Sequence, residues 1–279
     1  MAIKGEAELA ELARSELPAV IASCWIGLLR PGFLMREAKD HERVVAQLGG
    51  IPVLADGMAW PQHPDGRGPL TFIAQIDCGE LPASTLALPP SGRLSFFAWD
   101  EQATGYLDAD QVVYTPAQTP VSQRQPPAGC REYDPVKLTG EVCATGPDWS
   151  NVVFREALAE LGEEGRAFLG DPEGPESFRQ GLWDLRQPQP WHRIGGYAEP
   201  LQDQVEWEMA RLQLPPDLPA GITPALHREA LRWRLLVQID STGPGMEWGG
   251  GAQGCLYWLI RADDLAARKF EAASLTWQV

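Results

Sequence analysis

The sequence predicts an α+β fold, with mostly antiparallel or mixed β-sheets from two pseudo-repeats and a helical insert between them. Three observations predict it. Apolar runs of strand length alternate with Gly- and Pro-rich punctuation along most of the chain. One of those runs is stated twice: Leu70-Thr71-Phe72-Ile73-Ala74-Gln75-Ile76-Asp77 is echoed by Leu235-Leu236-Val237-Gln238-Ile239-Asp240. The clearest helical pattern falls between the two copies, which segregates helix from strand. The punctuation around the copies also matches. A Gly pair precedes each (Gly49-Gly50 and Gly195-Gly196), and a run opened by Gly-x-Leu follows each (Gly92-Arg93-Leu94 and Gly254-Cys255-Leu256). That later Gly lies 17 residues beyond Gln75 and 16 beyond Gln238.

Taken in order, residues 5–16 have helical spacing that Pro18 stops. Residues 19–29 read as a buried strand, broken by Pro31-Gly32. Between 36 and 48 only Val44, Val45 and Leu48 interrupt the charge, so this is a short amphipathic helix or a loop feeding Gly49-Gly50. Prolines and glycines crowd 50–61 into an ordered loop with at most one edge strand. Strands follow at 70–76, 93–99, 111–114 and 136–144, and the polar, Pro-rich stretch 115–129 is the candidate mobile loop. Residues 149–161 form the clearest helix, with Ser150 as its cap. Further helices are expected at 199–212 and 224–232. A strand at 255–260, a helix capped by Asp263 and a strand at 273–278 complete the chain. The 279 residues are read as one domain, 1–279: pseudo-repeat 1 at about 20–145, insert at about 149–190, pseudo-repeat 2 at about 191–279.

Composition bounds the function. A net charge of −15 argues against nucleic acid and anionic membrane surfaces, and suits a basic protein or peptide partner. No stretch approaches the roughly 18 apolar residues of a membrane span. The five cysteines are scattered without a Cys-x-x-Cys pair, which points to a reducing cytoplasm and to no metal knuckle. Gly249-x-Gly251-x-x-Gly254 has the spacing of a dinucleotide fingerprint. It opens a strand where a pyrophosphate site needs a helix, so no cofactor is expected. The four histidines have no metal spacing, no metal site is read, and no nucleophile signature gives a catalytic residue.

Gln75 and Gln238 interrupt buried runs and therefore need partners. They either satisfy loop backbone near their own Gly pairs or face a common cleft. Asp77 and Asp240 are strand-end turn caps or, related by the repeat, a carboxylate pair. Trp60 and Trp248 stand in Gly/Pro-rich loops as core plugs or as rigid binding anchors.

These motifs, with Trp60-Pro61, Gly195-Gly196-Tyr197, Trp248-Gly249 and Asp263-x-Leu265-Ala266, resemble the bacterial YwqG-like family, a domain of unknown function. The resemblance runs from about residue 20 to the C-terminus. It implies a cytoplasmic α+β domain of two related halves. It also implies distant kinship with programmed-cell-death-2-like proteins, dedicated chaperones of a ribosomal protein. It carries over no catalytic residue. Relatives have Trp-Gly-Asp-x-Gly where this chain has Trp248-Gly249-Gly250-Gly251, so the acid is absent.

The expectation is a non-enzymatic, chaperone-like module that binds protein or peptide between the repeats, in a groove lined by Trp60, Gln75, Asp77, Gln238, Asp240 and Trp248. The alternatives are an immunity- or antitoxin-like inhibitor, and a small-molecule binder or enzyme using the paired carboxylates. Oligomeric state is not legible.

Overall fold

A computed structural model describes residues 3–83, 85–100, 108–170, 176–186, 191–215, 221–241 and 254–279. The strands among them are β1 (Arg30–Glu37), β2 (Ala46–Leu48), β3 (Val53–Ala55), β4 (Thr71–Asp77), β5 (Arg93–Ala98), β6 (Asp110–Thr115), β7 (Val121–Gln123), β8 (Val136–Thr145), β9 (His192–Gly195), β10 (Trp233–Asp240), β11 (Cys255–Arg261) and β12 (Ser274–Gln278). The helices are α1 (Glu6–Glu16), α2 (Ala19–Ile26), α3 (Val152–Glu160), α4 (Glu163–Gly170), α5 (Glu176–Asp184), α6 (Val205–Gln213), α7 (Pro224–Ala230) and α8 (Ala262–Ala266). The fold is α+β with antiparallel sheets.

Ten strands form one sheet in the order β12-β11-β10-β9-β1-β8-β2-β4-β5-β6, and β3 pairs with β7 apart from it. The long sheet curls until its edges meet. The Leu275 N–H of β12 donates to Asp110 Oδ2 of β6 at 3.1 Å. Phe96 meets Trp258 edge-on with centroids 5.2 Å apart, and Tyr114 lies 5.4 Å from Phe270. The central core inside the curl draws on both ends of the sheet, joining Ile76 and Phe96 to Ile239 and Trp258. Twist supplies part of the curl, and bulges add to it.

The bulges fall at the same place in the two echoed strands. Register shifts between Phe72 and Ala74 in β4, and between Leu235 and Val237 in β10. Strict alternation would send neighbouring residues to opposite faces. The extra residue instead lets Ile73 and Ala74, and likewise Leu236 and Val237, all enter the central core. Gln75 and Gln238 each stand one residue past the bulge.

Helices cover the outside. α1 to α5 pack round Trp25, Phe154 and Phe178, while α6 and α7 enclose Val152, Trp207 and Leu226. No helix among the described residues is long and apolar enough to cross a membrane.

Several elements differ from expectation. Residues 19–26 are helix α2, not strand; an uninterrupted apolar run has no period to separate the two. Trp25 on that helix is fully buried, with its indole N–H on Pro147 O at 2.9 Å. The strand lies just beyond, through Pro31-Gly32. A side-chain carbon on Gly32 would sit tightly there, 3.0 Å from Thr145 and 3.4 Å from the Gly195 carbonyl. The stretch 115–129 is not all loop, since β7 lies within it and pairs with β3. Asn151, not Ser150, caps α3 by accepting from the Val153 N–H at 3.0 Å. α6 starts at Val205, not near 199, because Leu201 and Gln202 give their N–H groups to Gln278 Oε1. α8 begins at Ala262, so Asp263 lies within it.

Two buried groups give opposing pH slopes. Burial raises the Asp110 carboxyl from 3.8 to about 6, against the Leu275 N–H. Burial also lowers His192 from 6.5 to about 4, against the pull of Asp240. Stability from the raised carboxyl is present below its ordinary value and is lost as pH rises through about 6. Stability from the lowered imidazole is lost as pH falls from 6.5 toward 4. The Asp110→Asn variant should therefore lose roughly 1–3 kcal/mol more than the parent on going from pH 6.5 to 4, measured by urea unfolding. Identical pH profiles would show that Asp110 does not titrate in this range.

Candidate functional site

The repeated glutamines are bound to backbone. Gln75 Nε2 donates to Val53 O at 2.8 Å, and its Oε1 accepts the Val53 N–H at 3.3 Å. Gln238 Oε1 accepts the Glu199 N–H at 2.9 Å, and its Nε2 donates to Glu199 O at 3.4 Å. Each amide thus matches both polar groups of one residue, as a neighbouring strand would. In both cases the clasped residue is the third after a Gly pair. Both glycines of each pair are left-handed, at φ 54° and 68° for Gly49-Gly50 and 64° and 69° for Gly195-Gly196. Side chains are strained in that region, and a carbon on Gly49 or Gly196 would also meet neighbours at 2.5–2.6 Å.

The other expected residues lie apart. Asp77 accepts the Gly79 N–H at 3.0 Å and stands 3.7 Å from Arg93. Asp240 is buried and accepts the Trp191 N–H at 2.9 Å, while its own N–H donates to His192 Nδ1 at 3.1 Å. β4 and β10 are five pairings apart in the sheet, all antiparallel. An odd number of antiparallel steps reverses direction, so Asp77 and Asp240, at the ends of their strands, lie at opposite rims. Trp60 is buried with Leu54, Phe72 and Phe97, and its indole N–H donates to Leu70 O at 2.8 Å. Trp248 lies outside the described residues. The five described positions do not converge on one groove, and no group of three metal-ligating side chains occurs among the described residues.

A cleft of about 550 Å³ opens elsewhere, between α5, the start of α1, the end of β8 and the segment after Gly195-Gly196. Its volume suits a ligand of several residues or a drug-sized molecule. In its lining Glu199 is held between two arginines, with Arg186 Nε at 2.8 Å and an Arg193 terminal nitrogen at 3.2 Å. Arg193 also donates to Tyr197 O at 2.7 Å, yet its buried Nε has no partner among the described residues. Arg186 stacks over Trp183 at 4.5 Å and Trp191 at 5.4 Å, and the two indoles meet edge-on at 6.1 Å. Trp183 is 56% exposed and Leu185 41%, although both are large and apolar. Lys4, Glu8, Asp148, Glu176 and Arg179 also line it. Glu199 links the parts: Gln238 clasps its backbone, and its side chain orders the arginines.

The family model described as "Domain of unknown function (DUF1963)" matches residues 46–279. The chain belongs to the DUF1963 family. No curated protein matches it. The DUF1963 match begins at the first residue of β2 and takes in both glutamine clasps and α5. Lys4 and Glu8, which also line the cleft, precede it. The pairing of Glu199 with Arg186 and Arg193 was not visible in the sequence. The partial signal was the Gly195-Gly196 spacing, which marks the clasped residue.

Replacing either amide by Leu leaves two backbone groups unpaired. Gln75→Leu and Gln238→Leu should each cost roughly 1–3 kcal/mol in urea unfolding. The double variant should be near additive, because the two clasps share no partner.

Proposed function

We propose that the chain is a non-enzymatic, chaperone-like module that binds protein or peptide, and that the α5 cleft is where it does so. The observation that carries this reading is Trp183 with Leu185, exposed on the lip of a formed, part-charged cleft. A rigid indole at such a lip supplies contact area at little entropic cost, as binding anchors do. The candidate carboxylates Asp77 and Asp240 serve their own turns and strand ends, which favours binding over acid–base chemistry. The resemblance to the YwqG-like family and its programmed-cell-death-2-like kin supports a chaperone role. The charge of −15 favours a basic client over nucleic acid, and the free cysteines favour a cytoplasmic setting.

We propose further that residues of about 20–145 and 191–279 descend from one duplicated unit, with the insert at about 149–190 between them. The shared bulge position, glutamine clasp and left-handed Gly pair support that descent.

Affinity capture from native lysate, read by mass spectrometry, tests the binding role. The Trp183→Ala variant should lose a captured client at least tenfold, and the remainder should weaken with salt. Trp60→Ala, inside a small core cluster, should lower stability by about 3–5 kcal/mol and leave capture by the folded fraction unchanged. Equal capture by the parent and Trp183→Ala would sink the assignment of the cleft.

A further inference from the structure

We infer that the arginine pair in the cleft, Arg186 and Arg193, takes the terminal carboxylate of a peptide, with the last side chain against Trp183 and Leu185. The inference rests on the peptide-binding reading and names what that site recognises.

Charge comes first. Two guanidinium groups face one carboxylate, Glu199, and no second acid pairs with either arginine among the described residues. The triad of Arg186, Arg193 and Glu199 thus carries one surplus positive charge. A single carboxylate neutralises it, whereas a phosphate dianion would overshoot. Hydrogen bonding agrees. Arg193 is 5% exposed and lines the cleft, and its buried Nε is a donor without an acceptor among the described residues. Such orphans are rare in folded proteins, so Arg193 keeps part of its donor capacity unspent beside the cleft.

The guanidinium groups are also held in place before any ligand arrives. Arg193 is tied to Tyr197 O, and Tyr197 is itself fixed by its N–H on Thr145 Oγ1 at 3.1 Å and its hydroxyl on Leu28 O at 2.9 Å. Arg186 is set by Glu199 on one side and the Trp183 face on the other. Arginine forks so held favour a planar carboxylate and reduce the ordering cost of binding. The indole and Leu185 beside them give an apolar terminal side chain its contact. Glu8 and Asp148, which also line the cleft, suit basic residues earlier in the same peptide.

The test uses a degenerate octapeptide library, made once as free acids and once as C-terminal amides, passed over the immobilised full chain. Retained peptides are identified by mass spectrometry and their affinities measured individually. Free acids with an apolar last residue should be enriched, and each should bind about tenfold or more tighter than its amide. Arg186→Gln, whose folding is checked by circular dichroism, should erase the acid–amide difference while amide binding persists. Arg193→Lys keeps the charge but removes Nε, and should narrow the difference. Acids and amides that bind equally, and lose binding together in Trp183→Ala, would overturn the carboxylate inference and leave peptide binding standing. No retention from either library would overturn both. N-Acetyl-leucine competing as well as the best octapeptide would assign the site to small acids and overturn the peptide terminus.

Discussion

A side-chain amide that pairs with both polar groups of one backbone residue is the interaction on which this structure turns. Gln238 clasps Glu199 and Gln75 clasps Val53. A turn of two left-handed glycines cannot continue a strand, so the chain beyond it needs another source of backbone partners. The amide supplies them. In the second half the consequence goes further, because the clasped residue is acidic. Its carboxylate orders Arg186 and Arg193, and through Arg186 the Trp183 face. In the first half the clasped residue is apolar, and the same device only shapes the fold.

The second constraint is closure. A curled ten-stranded sheet brings its two edges together, and Asp110 spans them with a side-chain acceptor in place of a ladder of backbone bonds. Shared aromatic contacts at Phe96–Trp258 and Tyr114–Phe270 make one core of the two ends. That burial puts Asp110 where its charge is costly, and the raised carboxyl follows from the same geometry.

Much of the strand content was legible because strands here are short, bounded by Gly and Pro, and in one case stated twice. Two things hid helices from the sequence. Residues 19–26 are apolar on every face, so no period distinguishes helix from strand. α4 and α5 carry few buried residues apiece, and their glycines and charges hide the pattern. The candidate site was the least legible part. Trp60 and the repeated Asp and Gln drew attention because they stand beside repeated motifs, and that repetition marks structural parts. The cleft residues on α5 do not repeat.

By itself the sequence determined the fold class, the punctuated strands, the need of Gln75 and Gln238 for partners, and the net charge of −15. Those properties are local or compositional, and they survive without knowing which segments meet. Tertiary structure alone decided that Asp77 and Asp240 stand at opposite rims, since direction in a sheet depends on how many strands intervene. It likewise decided that Arg186, Arg193 and Glu199 pair in the lining of one cleft. The ion pairs there join residues from two loops and a strand, and no spacing in the chain records their approach.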